Sequence, residues 1–190
     1  MITAKPSAAV FLDRDGVLNR AVVRDGKPYP PGRLAEFELL PGVPEALELL
    51  REAGFRLVVV TNQPDVGTGR QTLAAVEEMH AHLRATLPLD DIRVCYHTDA
   101  DGCACRKPKP GMLLDAARDW DVALADSVMV GDRWRDIEAG RAAGCRTILI
   151  GAGYDERKPE GFDASAASLI DASRLILGGD IFRQERYAES

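Results

Sequence analysis

Residues 8–16 read Ala-Ala-Val-Phe-Leu-Asp-Arg-Asp-Gly, an apolar run that ends in two acids and a glycine. The run predicts a buried strand, with Asp13 and Asp15 emerging where the strand meets solvent. Two carboxylates this close repel each other unless a cation lies between them, and Mg²⁺ prefers such oxygen ligands. The pair therefore indicates either metal-assisted chemistry on a phosphate or, more plainly, a strand that ends in a solvated acidic turn.

Further apolar runs alternate with amphipathic stretches along the rest of the chain. Strands are predicted at residues 8–13, 55–61, 92–97, 127–132 and 145–150. Helices are predicted between them, at residues 43–53, 72–86, 112–120 and 135–143, with a short strand and a last helix within 164–177. Near-continuous apolar strands are typical of a parallel sheet that helices cover on both faces. The prediction is an α/β fold, a doubly wound, mainly parallel sheet in a three-layer α/β/α sandwich.

Length and charge limit the classes of protein that fit. A chain of 190 residues suits one domain, here residues 1–178 followed by a polar tail at 179–190. Thirty acidic against 24 basic residues give a net charge of −6, which disfavours nucleic-acid and anionic-membrane partners. Residues 1–6 lack the apolar core of a signal peptide, and no apolar run is long enough to span a membrane. We therefore expect a cytoplasmic monomer that acts on a small molecule.

Polar side chains lie at or after the ends of four predicted strands. Asp13, Thr61 and Asp132 each close a strand, Asn62 follows Thr61, and Arg106 with Lys107 follows the end of another strand. Ligands bind outside the carboxyl ends of the strands in an open parallel sheet, so we expect these groups to share one site. Asp136 lies one helical turn beyond Asp132 and could either orient a ligand or compensate the charge of a helix N-terminus.

In this order, over residues 8–150, the four segments resemble the signature motifs of the haloacid dehalogenase (HAD) phosphohydrolase superfamily. The resemblance implies that Asp13 attacks phosphorus to form an aspartyl-phosphate, while Asp15 protonates the leaving alkoxide and later activates water. It implies that Asp13, Asp132 and the backbone carbonyl of Asp15 ligate Mg²⁺. Thr61, Asn62 and Lys107 would bind the transferring phosphoryl group, with Lys109 a rival for Lys107. Candidates to hold a second anionic group of the substrate are Arg70, Arg106 and Arg133.

Three of the four cysteines and one of the three histidines lie within eleven residues. They are Cys95, His97, Cys103 and Cys105. Three thiolates and an imidazole suit a closed tetrahedral Zn²⁺ site, which would pin the loop at 95–105 and take no part in the chemistry. The alternatives are a reduced, metal-free loop and, against the expected compartment, a disulfide. Cys145 is expected to be a buried strand residue, and His80 and His82 to lie on the surface of a helix.

The zinc loop, with its continuation at residues 106–112, resembles a subgroup of the superfamily that includes phosphatases of heptose 1,7-bisphosphate and of histidinol phosphate. The resemblance favours removal of the C7 phosphate of a heptose 1,7-bisphosphate, with histidinol phosphate or another small sugar phosphate as the alternative. Tyr96 stands where the subgroup usually has proline, and Arg133 where it often has lysine. Since no segment is long enough for a cap domain, the loops at 20–41, 63–71 and 98–105 are expected to select the substrate.

A phospho-receiver signalling module is the alternative from another functional class. Such a module also combines a doubly wound sheet with an acidic pair, a threonine and a lysine. Its phosphorylated aspartate, however, ends a different strand from the acidic pair. Here the corresponding strand, at 92–97, ends in a predicted zinc ligand, and Asp13 itself is the better nucleophile.

Overall fold

The computed structural model describes residues 7–151 and 154–183. Its main sheet has six parallel strands: β1 (Ala9–Leu12), β4 (Arg56–Asn62), β5 (Asp91–Cys95), β6 (Val128–Gly131), β7 (Arg146–Ile150) and β8 (Ala164–Ala166). Their spatial order is β5-β4-β1-β6-β7-β8, so the chain starts in the middle of the sheet and winds outwards in both directions. The predicted α/β class and doubly wound parallel sheet are confirmed.

Helices connect the strands. They are α1 (Val43–Glu52), α2 (Pro64–Gly67), α3 (Leu73–Thr86), α4 (Gly111–Trp120), α5 (Trp134–Ala143), α6 (Leu169–Gly178) and α7 (Asp180–Arg183). Short 3₁₀ turns lie at Leu34–Glu36, Asp99–Asp101 and Leu124–Asp126. The ends follow local rules: Pro44 lies in the first turn of α1, and the glycines at 144 and 179 close α5 and α6 in the left-handed conformation.

Two apolar layers enclose the sheet because side chains alternate along each strand. Val10 and Leu12 of β1 pack with residues of α1 and α6 on one face. Ala9 and Phe11 pack with residues of α4 and α5 on the other face. All four side chains are fully buried, which explains why this strand reads as a continuous apolar run.

The connection at 20–41 contains a hairpin that the sequence analysis did not include. Strands β2 (Val22–Arg24) and β3 (Lys27–Tyr29) pair antiparallel across a two-residue turn. The turn residues, Asp25 and Gly26, both have positive φ, at 49° and 71°. An Asp-Gly pair between short β-prone segments is the usual signal for such a turn. The hairpin carries Pro28, Tyr29 and Pro30 to the mouth of the site.

The expected polar tail at 179–190 is wrong for its first part. Residues 180–183 form α7, and Ile181 is buried in the apolar layer that contains α6. Phe182 packs against the same layer, so two adjacent apolar residues dock this helical turn. Residues 184–190 lie outside the described residues, as do residues 1–6, where the signal-peptide argument applied. Within the described part of the chain, no helix is long and apolar enough to cross a membrane.

Candidate active site

The carboxyl ends of three adjacent strands bring the predicted acids and the hydroxyl together. β1 pairs with β4 on one side and with β6 on the other. Asp13 follows β1 directly, and its backbone N–H donates to the carbonyl of Val130 in β6 at 2.9 Å. Thr61 therefore lies on one flank of Asp13 and Asp132 on the other. Parallel pairing alone accounts for this placement.

A buried lysine bridges two of the acids. The Lys107 Nζ lies 2.8 Å from Asp13 Oδ1 and 2.6 Å from Asp136 Oδ1, and all three side chains are almost fully buried. Asp136 also caps α5, because its Oδ2 accepts from the backbone N–H of Arg133 at 3.0 Å. The helix-terminus interpretation of Asp136 therefore agrees with the structure, and its contact with Lys107 positions a site residue. That Asp136 orients a ligand stays a prediction.

The acids outnumber the lysine. Asp13, Asp132 and Asp136 offer carboxylate oxygens that all lie within 4.8 Å of one another. Burial and the neighbouring Asp136 raise the pKa of Asp13 to about 6, although Lys107 opposes the shift. Burial and the charges of Asp13 and Asp136 raise the pKa of Asp132 well above its usual range. Burial alone would lower the pKa of Lys107, but Asp13 and Asp136 raise it to about 12. The cluster carries an excess of negative charge that a divalent cation would neutralise.

The donor set fits Mg²⁺. Asp132 Oδ1 is buried and has no hydrogen-bond partner in residues 7–151 and 154–183. A buried carboxylate oxygen is costly to leave unpaired, and a hard cation at this position would satisfy it. Asp132 Oδ2 accepts from the Tyr154 hydroxyl at 2.5 Å. Tyr154 could not be expected from the sequence, because it lies in the long connection between β7 and β8.

Asp15 is not part of this cluster of three acids, and hydrogen-bond donors hold its carboxylate. Its carboxylate accepts from Asn19 Nδ2 at 2.9 Å and from Gln63 Nε2 at 2.8 Å. Arg14 adds two contacts of 2.8 Å through NH2 and one of 3.2 Å through Nε. The carboxylate is therefore fixed in orientation beside Asp13. The roles of Arg14, Asn19 and Gln63 were not predicted from the sequence.

The remaining predicted phosphate ligands lie beside Asp13. Thr61 is buried and accepts from Gln63 Nε2 at 2.9 Å, so its hydroxyl hydrogen can still be donated to a ligand. Asn62 accepts from the backbone N–H of Lys107 at 3.1 Å and donates to its carbonyl at 3.0 Å. In this geometry the Asn62 amide positions Lys107. Lys109 points elsewhere: its Nζ donates to the carbonyls of Gly102 and Cys103, each at 2.8 Å.

A cavity of about 280 Å³ opens above Asp13. Its lining includes both acids of the first motif, the hairpin and four arginines, namely Arg70, Arg106, Arg133 and Arg135. All three arginines predicted to hold a second anion already have acidic partners, the most distant being Arg70, whose NH1 lies 3.9 Å from Asp65 Oδ1. Arg106 Nε lies 2.8 Å from Asp99 Oδ1, and Arg133 forms a two-point ion pair with Glu156. These pairs hold the guanidinium groups at the cavity wall.

The Cys/His loop forms a compact cluster beside the cavity. Cys95 Sγ lies 3.2 Å from Cys105 Sγ and 3.7 Å from Cys103 Sγ, while His97 Nδ1 lies 3.3 Å from Cys105 Sγ. These sulfur–sulfur distances far exceed the bond of about 2.05 Å in a disulfide. They are close to the edges of a tetrahedron with metal–sulfur bonds of about 2.3 Å. The four donors therefore fit a zinc ion. Cys145 is buried as expected, just before β7.

Comparison with known proteins assigns the family. A model of haloacid dehalogenase-like hydrolases matches residues 20–144, well over half of the chain. The chain belongs to this family. Membership of a hydrolase family also decides against the phospho-receiver alternative.

The chain also resembles individual enzymes of the family. The D-glycero-beta-D-manno-heptose-1,7-bisphosphate 7-phosphatase of Pseudomonas putida is 38% identical over 156 residues, covering 80% of this chain and 86% of that protein. The D-glycero-alpha-D-manno-heptose-1,7-bisphosphate 7-phosphatase of Mycobacterium tuberculosis is 38% identical over 175 residues, covering 86% and 84%. Among solved structures, the D,D-heptose 1,7-bisphosphate phosphatase of B. bronchiseptica, complexed with magnesium and phosphate, is 34% identical with a TM-score of 0.76. That match covers 90% of this chain and 98% of the other.

Proposed function

We propose that this chain is a Mg²⁺-dependent phosphatase that removes the C7 phosphate of a heptose 1,7-bisphosphate through an aspartyl-phosphate on Asp13. The observation that carries the proposal is the buried Asp13–Lys107–Asp136 arrangement beside Asp132. Asp13 and Asp132 supply carboxylate oxygens for the metal, and the backbone carbonyl of Asp15 is the third protein ligand that the family resemblance implies. When bound, Mg²⁺ supplies positive charge that offsets the charge of the phosphate and the acids.

Asp13 is the nucleophile in this account. One of its oxygens forms a bond to phosphorus while the bond from phosphorus to the sugar oxygen breaks, which leaves the phosphoryl group on Asp13. Lys107 keeps Asp13 ionised and stands ready to contact the phosphoryl oxygens. Phosphoryl transfer depends mainly on such positioning and charge stabilisation.

Asp15 carries the proton in both half-reactions. It donates a proton to the departing sugar oxygen and then takes one from the water that attacks phosphorus and releases inorganic phosphate. Its position beside Asp13 and its fixed orientation suit this role. Thr61 and Asn62 complete the phosphate site, the first through its hydroxyl and the second by holding the backbone of Lys107.

The substrate assignment rests on the relatives and on the cavity. The heptose bisphosphate phosphatases named above align with most of this chain and most of their own length. A bisphosphate also suits a cavity with arginines in its wall, and we propose that Arg106 and Arg133 contact its second phosphate. Histidinol phosphate, which lacks a second phosphate, would leave these groups without a ligand.

We also propose that Cys95, His97, Cys103 and Cys105 bind a structural zinc ion. The zinc would hold the loop that ends in Arg106 and Lys107 and so set the position of the phosphate-binding lysine. Unpaired thiols persist most readily in a reducing compartment, which supports a cytoplasmic location.

A phosphate-release screen tests the proposal. The substrates are the α and β anomers of D-glycero-D-manno-heptose 1,7-bisphosphate, histidinol phosphate and simple sugar monophosphates, each with and without Mg²⁺. We expect one heptose bisphosphate to give the highest kcat/KM and release to require Mg²⁺. A higher kcat/KM for histidinol phosphate would overturn the substrate assignment, and full activity in a chelator would overturn the metal assignment.

A further inference from the structure

His80 is a buried residue for which the reaction described above has no use. His80 is predicted from the sequence to lie on the surface of a helix, but its side chain is fully buried. The correction has a physical reason: α3 turns this face towards the first motif, and His80 Nε2 lies 3.1 Å from Arg14 NH1. His82, two residues further on, faces another direction and packs edge-on against the Phe37 ring.

The contact with Arg14 belongs to a longer chain of hydrogen bonds. Arg14 is fully buried and holds Asp15 through NH2 and Nε. On the far side of the imidazole, His80 Nδ1 lies 3.3 Å from Glu77 Oε1. The same oxygen of Glu77 accepts from the Tyr96 hydroxyl at 2.5 Å. Tyr96 lies between Cys95 and His97, so this series of hydrogen bonds runs from the Cys/His cluster to Asp15.

The donors and acceptors along this chain fit a single arrangement. A guanidinium group can only donate, so His80 Nε2 must accept from Arg14. The ring proton then lies on Nδ1 and is donated to Glu77, which means that His80 is neutral. Burial and the adjacent Arg14 lower the pKa of His80 to about 4, in agreement with a neutral ring at pH 7. Every polar group in the chain then has a partner of the correct kind.

We propose that His80, Glu77 and Tyr96 are positioning residues that lock Arg14 and thereby orient the Asp15 carboxylate for proton transfer. This proposal deepens the proposed function, because it rests on Asp15 as the group that protonates the leaving oxygen. If the His80 acceptor is lost, Arg14 NH1 becomes a buried donor without a partner. The guanidinium must then turn towards another acceptor, and the three contacts that it makes with Asp15 change with it.

A comparison of substrates with different leaving groups distinguishes this positioning role from a general structural role. A sugar alkoxide needs a proton from Asp15 as it departs, whereas p-nitrophenolate leaves without one. The parameter kcat/KM reports the steps up to and including cleavage of the ester. A poorly oriented Asp15 should therefore lower kcat/KM for a sugar phosphate far more than for p-nitrophenyl phosphate.

The test compares three variants on D-glycero-D-manno-heptose 1,7-bisphosphate and p-nitrophenyl phosphate. We expect His80→Phe to lower kcat/KM about 10–100-fold for the bisphosphate, a part of the usual general-acid contribution, and less than about threefold for p-nitrophenyl phosphate. His80→Gln should recover most of the loss, because its side-chain carbonyl can accept from Arg14. His82→Phe is the matched control on the same helix and should resemble the wild type with both substrates.

Tyr96→Phe tests the other end of the chain with a smaller change. It removes one hydroxyl and should lower kcat/KM for the bisphosphate about two- to tenfold, as expected for one hydrogen bond, while the zinc content stays the same. If His80→Phe does not fold, Tyr96→Phe alone tests the positioning role.

Equal losses on both substrates in His80→Phe and Tyr96→Phe, or no loss in either, would overturn the positioning role. The proposed function fails in a different way. If the wild-type chain releases no phosphate from the heptose bisphosphate, the substrate assignment is wrong. The same leaving-group comparison is then made with fructose 1,6-bisphosphate as the alkyl phosphate.

Discussion

At the scale of single residues, the main feature of the site is an excess of buried negative charge. Three buried carboxylates share one ammonium group, that of Lys107. A buried charge is tolerated only when it is paired, so the position of Lys107 is as demanding as that of the acids. The sequence left open whether Lys107 or Lys109 binds the phosphoryl group. The structure favours Lys107, because Lys109 lies on the surface and donates to loop carbonyls.

We predict that Lys107→Met costs both stability and activity. Removal of one partner from a buried ion pair typically lowers the free energy of unfolding by about 3–5 kcal/mol. Loss of a group that stabilises transition-state charge lowers kcat roughly 100-fold or more. Urea denaturation and phosphate release measure the two effects, with Lys109→Met as the control. Normal turnover by Lys107→Met together with loss in Lys109→Met would reverse the assignment.

The neutral His80 predicts a specific dependence of stability on pH. Arg14 and Arg84 disfavour the charged ring and Glu77 favours it, but burial dominates and lowers the pKa to about 4. The unfolded chain takes up this proton near pH 6.5, so the contribution of His80 is complete above that pH and is lost as the pH falls towards 4. The difference is on the order of 3 kcal/mol. Denaturation of wild type and His80→Gln at pH 7 and 4.5 should show a smaller decrease in the variant; equal decreases would contradict a neutral, buried His80.

At the scale of secondary-structure elements, the turn after β1 determines how closely the first and last motifs approach. Gly16 has φ of 94°, and a Cβ at this position would lie 1.7 Å from Asp132 Oδ2. Glycine is therefore required for two reasons, the left-handed backbone and the space that Asp132 occupies. Gly54 has a similar φ of 90° but no atom within 4 Å of the corresponding Cβ position.

Substitution of these two glycines distinguishes the effect of backbone strain from the effect of a contact with Asp132. Gly16→Ala and Gly54→Ala should each lose about 1–2 kcal/mol of stability from the left-handed backbone. Only Gly16→Ala should lose activity, roughly 100-fold, because it displaces Asp132 by an ångström or more. Thermal denaturation and Mg²⁺-dependent phosphate release provide the measurements. Equal activities in the two variants would show that the approach of Gly16 to Asp132 is unimportant.

The Cys/His loop gives a second prediction at this scale. Purified protein should contain about one zinc ion per chain, and Cys105→Ser should lose it and unfold at a lower temperature. Cys145→Ser is the matched control, since Cys145 lies outside the cluster and its replacement should leave the zinc content unchanged. Elemental analysis and thermal denaturation measure both properties. Stable, active protein without zinc would remove the structural role.

Helices and strands were predicted to within one or two residues where apolar periodicity and terminal glycines agree. The run at 8–13 became β1 at Ala9–Leu12, and the helix at 43–53 became α1 at Val43–Glu52. The β2–β3 hairpin was missed although its Asp-Gly turn was visible, because prolines around it favoured an irregular loop. Helix α7 was missed because two adjacent apolar residues, Ile181 and Phe182, show no helical periodicity.

At the scale of the whole molecule, strand order explains which parts of the site could be predicted. Acids and a hydroxyl at the ends of parallel strands must meet at one edge, so Asp13, Thr61 and Asp132 were predicted to do so from the sequence alone. Tyr154 and the His80 chain could not be predicted in this way. Tyr154 lies in a distant loop and His80 on one face of α3. Only tertiary packing determines that these two side chains point towards the site.

The most direct test of the account is to identify the residue that carries the phosphoryl group. Asp15→Asn, which lacks the group that activates water, should accumulate the intermediate when supplied with p-nitrophenyl phosphate. Borohydride reduces an aspartyl-phosphate to homoserine, and mass spectrometry of the digested protein locates it. The account predicts homoserine at position 13. Homoserine at position 132 or 136, or its absence after a stoichiometric burst of p-nitrophenolate, would contradict it.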